Sequence, residues 1–194
     1  ALAREAKGDP PHVILLPEVP LDEQRFLERV KASVEGFGYC VVVVSEGVKN
    51  ADGTFLSDQG TRDAFGHVQL GGVAPAIAAL IKNTLGYKYH YAIADYLQRA
   101  ARHIASATDV EQAYAVGQAA VEQALAGRNA IMPTIVRESD APYRWHVGEV
   151  ALAEVANVEA RMPAEFIDAS GFFVTDACLR YLRPLIAGED YPPY

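Results

Sequence analysis

Apolar and polar residues follow one another in blocks that read as alternating strands and helices. His12 to Val19 is a short apolar run bounded by prolines, the pattern of a buried strand. Pro20-Leu21-Asp22 opens a helix in which Phe26, Leu27, Val30 and Val34 share one face, and Gly36 and Gly38 stop it. Tyr39 to Ser45 contains the valine run Val41 to Val44, which suits a parallel strand buried on both faces. Lys49 to Gly66 is polar and glycine-punctuated, and reads as an irregular insertion. Ile77, Leu80, Ile81 and Leu85 line a helix from about Pro75 to Thr84, Gly86 ends it, and Tyr87 to Ala94 reads as the next strand. A long helix comes next, opened by Ser106 and Thr108, with Thr108 and Glu111 as a capping box. Its stripe of Val110, Tyr114, Gly117, Val121 and Leu125 is expected to face the core, and Gly127 is its stop.

The two ends add less regular pieces. Ala1 to Lys7 reads as the tail of a helix stopped by Gly8-Asp9-Pro10-Pro11, so the chain reads as a fragment. Ile131 to Val136 is a strand whose Pro133 favours an edge. Ser139 to Trp145 reads as a polar loop, and Val150 to Asn157 and Pro163 to Ile167 as short helices. Thr175 is expected to cap the last helix, with Leu179, Leu182 and Ile186 inward. The order β-α-β-α-β-α-β predicts an α/β fold with a mostly parallel sheet flanked by helices and a helical C-terminal part. On this reading, residues 1–138 form an α/β domain, and residues 139–194 a helical extension packing on the same unit.

Composition narrows the function classes. The 194 residues are 51% hydrophobic and 22% charged, ordinary for a globular protein with a real core. No apolar run approaches the ~20 residues that a membrane helix needs. The 17 basic and 25 acidic residues leave a net charge of −8, which argues against a nucleic-acid surface. Cys40 and Cys178 make neither a disulfide framework nor a zinc site, so a cytoplasmic setting is expected.

The candidate chemistry gathers at Asp95-Tyr96-Leu97-Gln98-Arg99. It closes the third predicted strand, where ligands of open α/β sheets sit. A tyrosine and an arginine three residues apart can reach one ligand, and the guanidinium fork matches phosphate oxygens. Glu46, at the carboxyl end of the valine strand, is either a functional carboxylate or a strand-end charge facing water. His67 can be a ligand, a base or a structural histidine. The pair Gly71-Gly72 before a helix could let backbone N–H groups meet an anion, but it is not a nucleotide motif.

Several phrases resemble, in order, the C-terminal half of the phosphofructokinase family, and above all its pyrophosphate-dependent branch. They are Pro17-Glu18-Val19-Pro20, Ser45-Glu46-Gly47, Asp63 to Gly72, Tyr96-Leu97-Gln98-Arg99 and Arg102 to Asp109. The resemblance covers nearly the whole chain, in the right order. The resemblance implies phosphoryl transfer from pyrophosphate, with Mg²⁺, to O1 of fructose 6-phosphate, a glycolytic step. It implies that residues 1–138 are the fructose 6-phosphate-binding domain. Glu46 matches the glutamate that hydrogen-bonds sugar hydroxyls. Tyr96 and Arg99 match the pair holding the 6-phosphate, with Leu97 and Gln98 completing that substrate-binding run. ATP-dependent relatives tend to have His where Tyr96 stands. Many relatives place Arg, reaching the sugar phosphate of a neighbouring subunit, where this chain has His90, a weaker and pH-dependent donor.

The family's Gly-Gly-Asp donor loop, its Thr-Ile-Asp segment with the base and its Met-Gly-Arg segment are not found in the 194 residues. No catalytic residue or metal ligand is therefore assigned, and Mg²⁺ is expected to be bound mainly by the missing half. Phosphoryl transfer needs charge stabilisation from both sides of the transferred group, so the fragment alone is expected to be inactive. A homo-oligomer is expected by resemblance, with no nucleic-acid or membrane partner. The alternatives are a non-catalytic fructose-phosphate-binding subunit, an ATP-dependent phosphofructokinase, or a doubly wound domain with no sugar site.

Overall fold

A buried three-residue strand anchors the first half of the molecule. The computed structural model describes residues 1–6, 8–62, 68–70 and 72–192. They form two units, Ala1–Ala94 with Met162–Asp176, and Asp95–Arg161 with Ala177–Tyr194.

In the first unit, strand β1 (Val13–Leu15) is buried throughout and pairs in parallel with β2 (Val42–Val44), in the register Val13↔Val42. On its other side, the Ile14 N–H donates to the Phe172 carbonyl at 2.8 Å. His12 joins the two strands from within. Its buried ring accepts from the Val41 N–H through Nδ1 at 3.0 Å and donates from Nε2 to the Gly8 carbonyl at 3.1 Å. A carbonyl can only accept, so the ring is the neutral Nε2–H tautomer. Phe37 and Tyr39 lie against it, with ring centroids at 5.3 and 5.0 Å.

Helix α1 (Glu23–Phe37) starts where the Asp22 carboxylate accepts from the Arg25 N–H at 3.1 Å, and it ends at Gly38, whose φ of 82° favours glycine. Phe26 and Val30 on its inner face meet Val13, Leu15, Val48, Ile77 and Phe172 in one core. Ile77 comes from α2 (Val73–Leu85), bounded by Gly72 and Gly86, both left-handed. Burying a phenylalanine and several aliphatic side chains at about 1.5–3 kcal/mol each is the main force holding the helices on the strand pair.

The α/β fold, with a parallel strand pair and packed helices, is the one expected. Several local expectations fail. Residues 1–6 form turns, because the Asp9 carboxylate takes the Glu5 and Ala6 N–H groups that a helix would use otherwise. The valine strand is not covered on both faces, since Val41 and Val43 are 38% and 50% exposed. The stretch expected to be an irregular insertion contains β3 (Asp58–Arg62), which pairs antiparallel with β4 (Val68–Leu70). Tyr87 to Ala94, expected as a strand, forms none, and Tyr89 stacks on Tyr91 there with ring centroids 6.3 Å apart.

In the second unit, α3 (Leu97–Ala100) and a 3₁₀ turn (Arg102–Ile104) lead into α4 (Ala107–Leu125). Ser106 caps α4, its Oγ accepting from the Asp109 N–H at 3.0 Å, so the expected cap at Thr108 is corrected by two positions. The stripe assigned to a core is solvent-facing: Tyr114, Val121 and Leu125 are 74%, 60% and 84% exposed. The helix instead buries Gln112, whose side chain donates to the Tyr143 hydroxyl at 2.6 Å.

The expected loop and short helix after residue 139 form a hairpin of β5 (Ile131–Asp140) and β6 (Tyr143–Ala151). Arg137 holds its tip. Its Nε donates to Asp140 at 2.6 Å, and its guanidinium lies over the Tyr143 and Tyr181 rings. Only α5 (Leu152–Val155) remains of the helix expected there, and the chain closes with α6 (Asp176–Leu182) and a 3₁₀ turn (Arg183–Ile186). No helix among the described residues is long and apolar enough to cross a membrane.

Candidate functional site

The run expected at a strand end starts instead at a left-handed turn. Asp95 has φ 46°, a conformation that aspartate tolerates better than most residues. Tyr96 then stands at the N-cap of α3, and its carbonyl accepts from the Ala100 N–H at 3.0 Å. Positions 96 and 99 are therefore one helical turn apart. The backbone of residues 96–99 lies on this turn, and Tyr96 and Leu97 are 67% and 70% exposed.

The anchorage downstream of this turn had no signature in the sequence. The Arg102 guanidinium donates to the backbone carbonyl of Asp190 and, at 2.6 Å, to its carboxylate. Ser106 Oγ donates to the Leu185 carbonyl at 2.6 Å, and the Ala107 and Thr108 N–H groups donate to the Gly188 and Ala187 carbonyls at 3.3 Å. The free donors of the first turn of α4 are thus satisfied by the C-terminal segment. Gly188 has φ 75°, and a Cβ there would stand 2.8 Å from the Ala107 Cβ, so the close approach requires glycine.

Glu46 and His90 belong to the first unit. Glu46 is exposed in the turn after β2, as expected of a strand-end carboxylate. The turn is fixed through its main chain. The Glu46 carbonyl accepts from Ser57 Oγ at 3.0 Å, the Gly47 N–H donates to Ser45 Oγ at 3.3 Å, and a Cβ on Gly47 would come within 3.0 Å of Pro17. One oxygen of Glu18 accepts from the Met162 N–H at 2.9 Å, and its other oxygen is buried with no hydrogen-bond partner among the described residues. His90 is exposed, in the irregular stretch that follows α2. His67 and Gly71 lie outside the described residues, while Gly72 caps α2 through its backbone conformation.

Among the described residues, no group of three or more His, Cys, Asp or Glu side chains is placed to hold a metal ion. Neither Cys40 nor Cys178 is in a disulfide. Burial pushes the Cys40 thiol above its ordinary range, against smaller opposing effects of a hydrogen bond with Ser33 and the Arg29 charge.

No family model matches the chain. Over 193 residues, the whole of this chain, it is 64% identical to the pyrophosphate–fructose 6-phosphate 1-phosphotransferase of Methylococcus capsulatus, of which it covers 46%. The chain belongs to the phosphofructokinase family. The enzyme of the same name from Halomonas elongata is 60% identical over 194 residues, again 46% of that protein. The crystal structure of a pyrophosphate-dependent phosphofructokinase from Marinobacter aquaeolei superposes on this phosphofructokinase chain with a TM-score of 0.81. The two are 56% identical, and the match covers 100% of this chain and 45% of that one. The chain spans about half the length of the curated relatives it matches.

Proposed function

We propose that the chain is the sugar-phosphate-binding part of a pyrophosphate-dependent phosphofructokinase, which transfers a phosphoryl group from pyrophosphate to O1 of fructose 6-phosphate. The observation that carries this reading is the 64% identity over the full chain to an enzyme named for that reaction. The 6-phosphate is held by Tyr96 and Arg99, a phenol and a guanidinium, since hydrogen bonds from charged donors to phosphate are the strong ones. Leu97 and Gln98 carry the helical turn that spaces them. Glu46 accepts from sugar hydroxyls. A carboxylate suits that end of the ligand and would repel phosphate. His90 is an auxiliary donor to the ligand and is effective when protonated.

The phosphoryl donor, the base that takes the O1 proton and Mg²⁺ are held outside this chain. When bound, Mg²⁺ would supply charge neutralisation to the donor. The chain's own residues bind and orient the acceptor so that O1 presents to the transferred group, and orientation of this kind accounts for much of a phosphoryl-transfer rate. Self-association in the cytoplasm is part of the same proposal.

The test is to assay the full-length protein with fructose 6-phosphate and either pyrophosphate or ATP, each with Mg²⁺. Turnover with pyrophosphate supports the reading. Turnover with ATP alone transfers the chain to the ATP-dependent branch. Binding of fructose 6-phosphate without turnover on either donor makes it a regulatory subunit.

A further inference from the structure

The run Tyr96 to Arg99 spans a single helical turn. It enters from a left-handed turn at Asp95 and lies on a helix of four residues, a length that does not persist by its own hydrogen bonds. Its exit is anchored. Three residues past Arg99, the guanidinium of Arg102 grips Asp190 through two groups, a main-chain carbonyl and the carboxylate, as a planar fork can. The same C-terminal stretch takes the Ser106 hydroxyl and the first N–H groups of α4, and Gly188 makes the approach possible.

We propose that residues 185–190 are a strap that positions the phosphate-binding turn, with Arg102 and Asp190 as its positioning pair. The inference deepens the proposed function and rests on it for its kinetic consequence. Neither residue need touch the ligand. The strap holds the turn in its binding geometry before the ligand arrives, so that its ordering is not charged against affinity. Loss of the pair should therefore weaken sugar-phosphate binding while leaving the chemical step nearly as fast.

The experiment compares Asp190→Asn, Asp190→Glu and Arg102→Gln with the unaltered full-length protein by amide hydrogen exchange and steady-state kinetics. The pair is half exposed, its side chains 47% and 44% accessible, so the expected effect is modest. Asp190→Asn and Arg102→Gln should each speed exchange over residues 97–106 and raise KM for fructose 6-phosphate by about five-fold. The same variants should keep kcat within about two-fold and leave KM for pyrophosphate unmoved. Asp190→Glu, which retains the charge, should recover most of the loss. Unchanged exchange over residues 97–106, or a fall in kcat with KM unmoved, overturns the proposal. If the unaltered protein turns over neither substrate, the proposed function has failed, and the exchange measurement decides the strap by itself.

Discussion

Replacing His12 with phenylalanine tests how the strand pair is held. The substitution keeps a ring of similar size against Phe37 and Tyr39 and removes both ring nitrogens. The Val41 N–H then loses its acceptor at 3.0 Å, and the Gly8 carbonyl loses its donor at 3.1 Å. A buried donor left unmade costs about 1–3 kcal/mol, and an ordinary hydrogen bond about 1 kcal/mol. Val41 is 38% exposed, so water relieves part of the first cost, and about 2 kcal/mol is the expected total. The Val41 carbonyl keeps its bonds from the His12 and Val13 N–H groups, so the register of β1 on β2 should survive. Exchange of the Val41 amide should therefore rise about thirty-fold, and the urea midpoint of the first unit, followed by far-ultraviolet circular dichroism, should fall. An unchanged Val41 amide would refute the reasoning, because it would show that the imidazole is not its partner.

Three further outcomes are expected. Arg99→Ala in the full-length enzyme should raise KM for fructose 6-phosphate by the equivalent of about 2–3 kcal/mol, the scale of hydrogen bonds to charged groups; steady-state kinetics with an unchanged KM would remove Arg99 from the site. The Asp52 carboxyl is held below its ordinary value by the Thr54 hydroxyl and then the Thr54 N–H. Its stabilising effect is therefore present above the unfolded value and lost as pH falls through the lowered folded one, and a carbon-detected NMR titration should place its midpoint below 3.8. Gly148→Ala should destabilise the hairpin by about 1–3 kcal/mol in thermal unfolding, since the new Cβ would stand 2.6 Å from Val136 Cγ2.

Local chemistry decides the features that were legible in the sequence. Asp22 and Gly38 bound α1 where their side-chain and backbone preferences put them, and Phe26 and Val30 face inward as their spacing requires. Glu46 does follow the valine strand. The failures come where a partner distant in sequence decides the outcome. Ser139 to Trp145 looks like a loop until β6 pairs across it, and Val150 looks helical until it stands opposite Met132. The α4 stripe has the period of a buried face, yet Gln112 is the residue the hairpin covers, because Tyr143 offers it a hydrogen bond. The proposed phosphate-binding turn was legible by likeness to a family. Its strap was not, since nothing in Arg102 alone points to an aspartate 88 positions away.

The division of the chain bears on how its gene can be cut. Phe172, a member of the first unit's core and the source of the carbonyl that receives the Ile14 N–H, is encoded after the whole β5–β6 hairpin. A stop codon at position 95 would strip that core of an aromatic anchor and leave one flank of β1 without its partner. An independently folding version of the first unit would have to splice residues 162–176 back on.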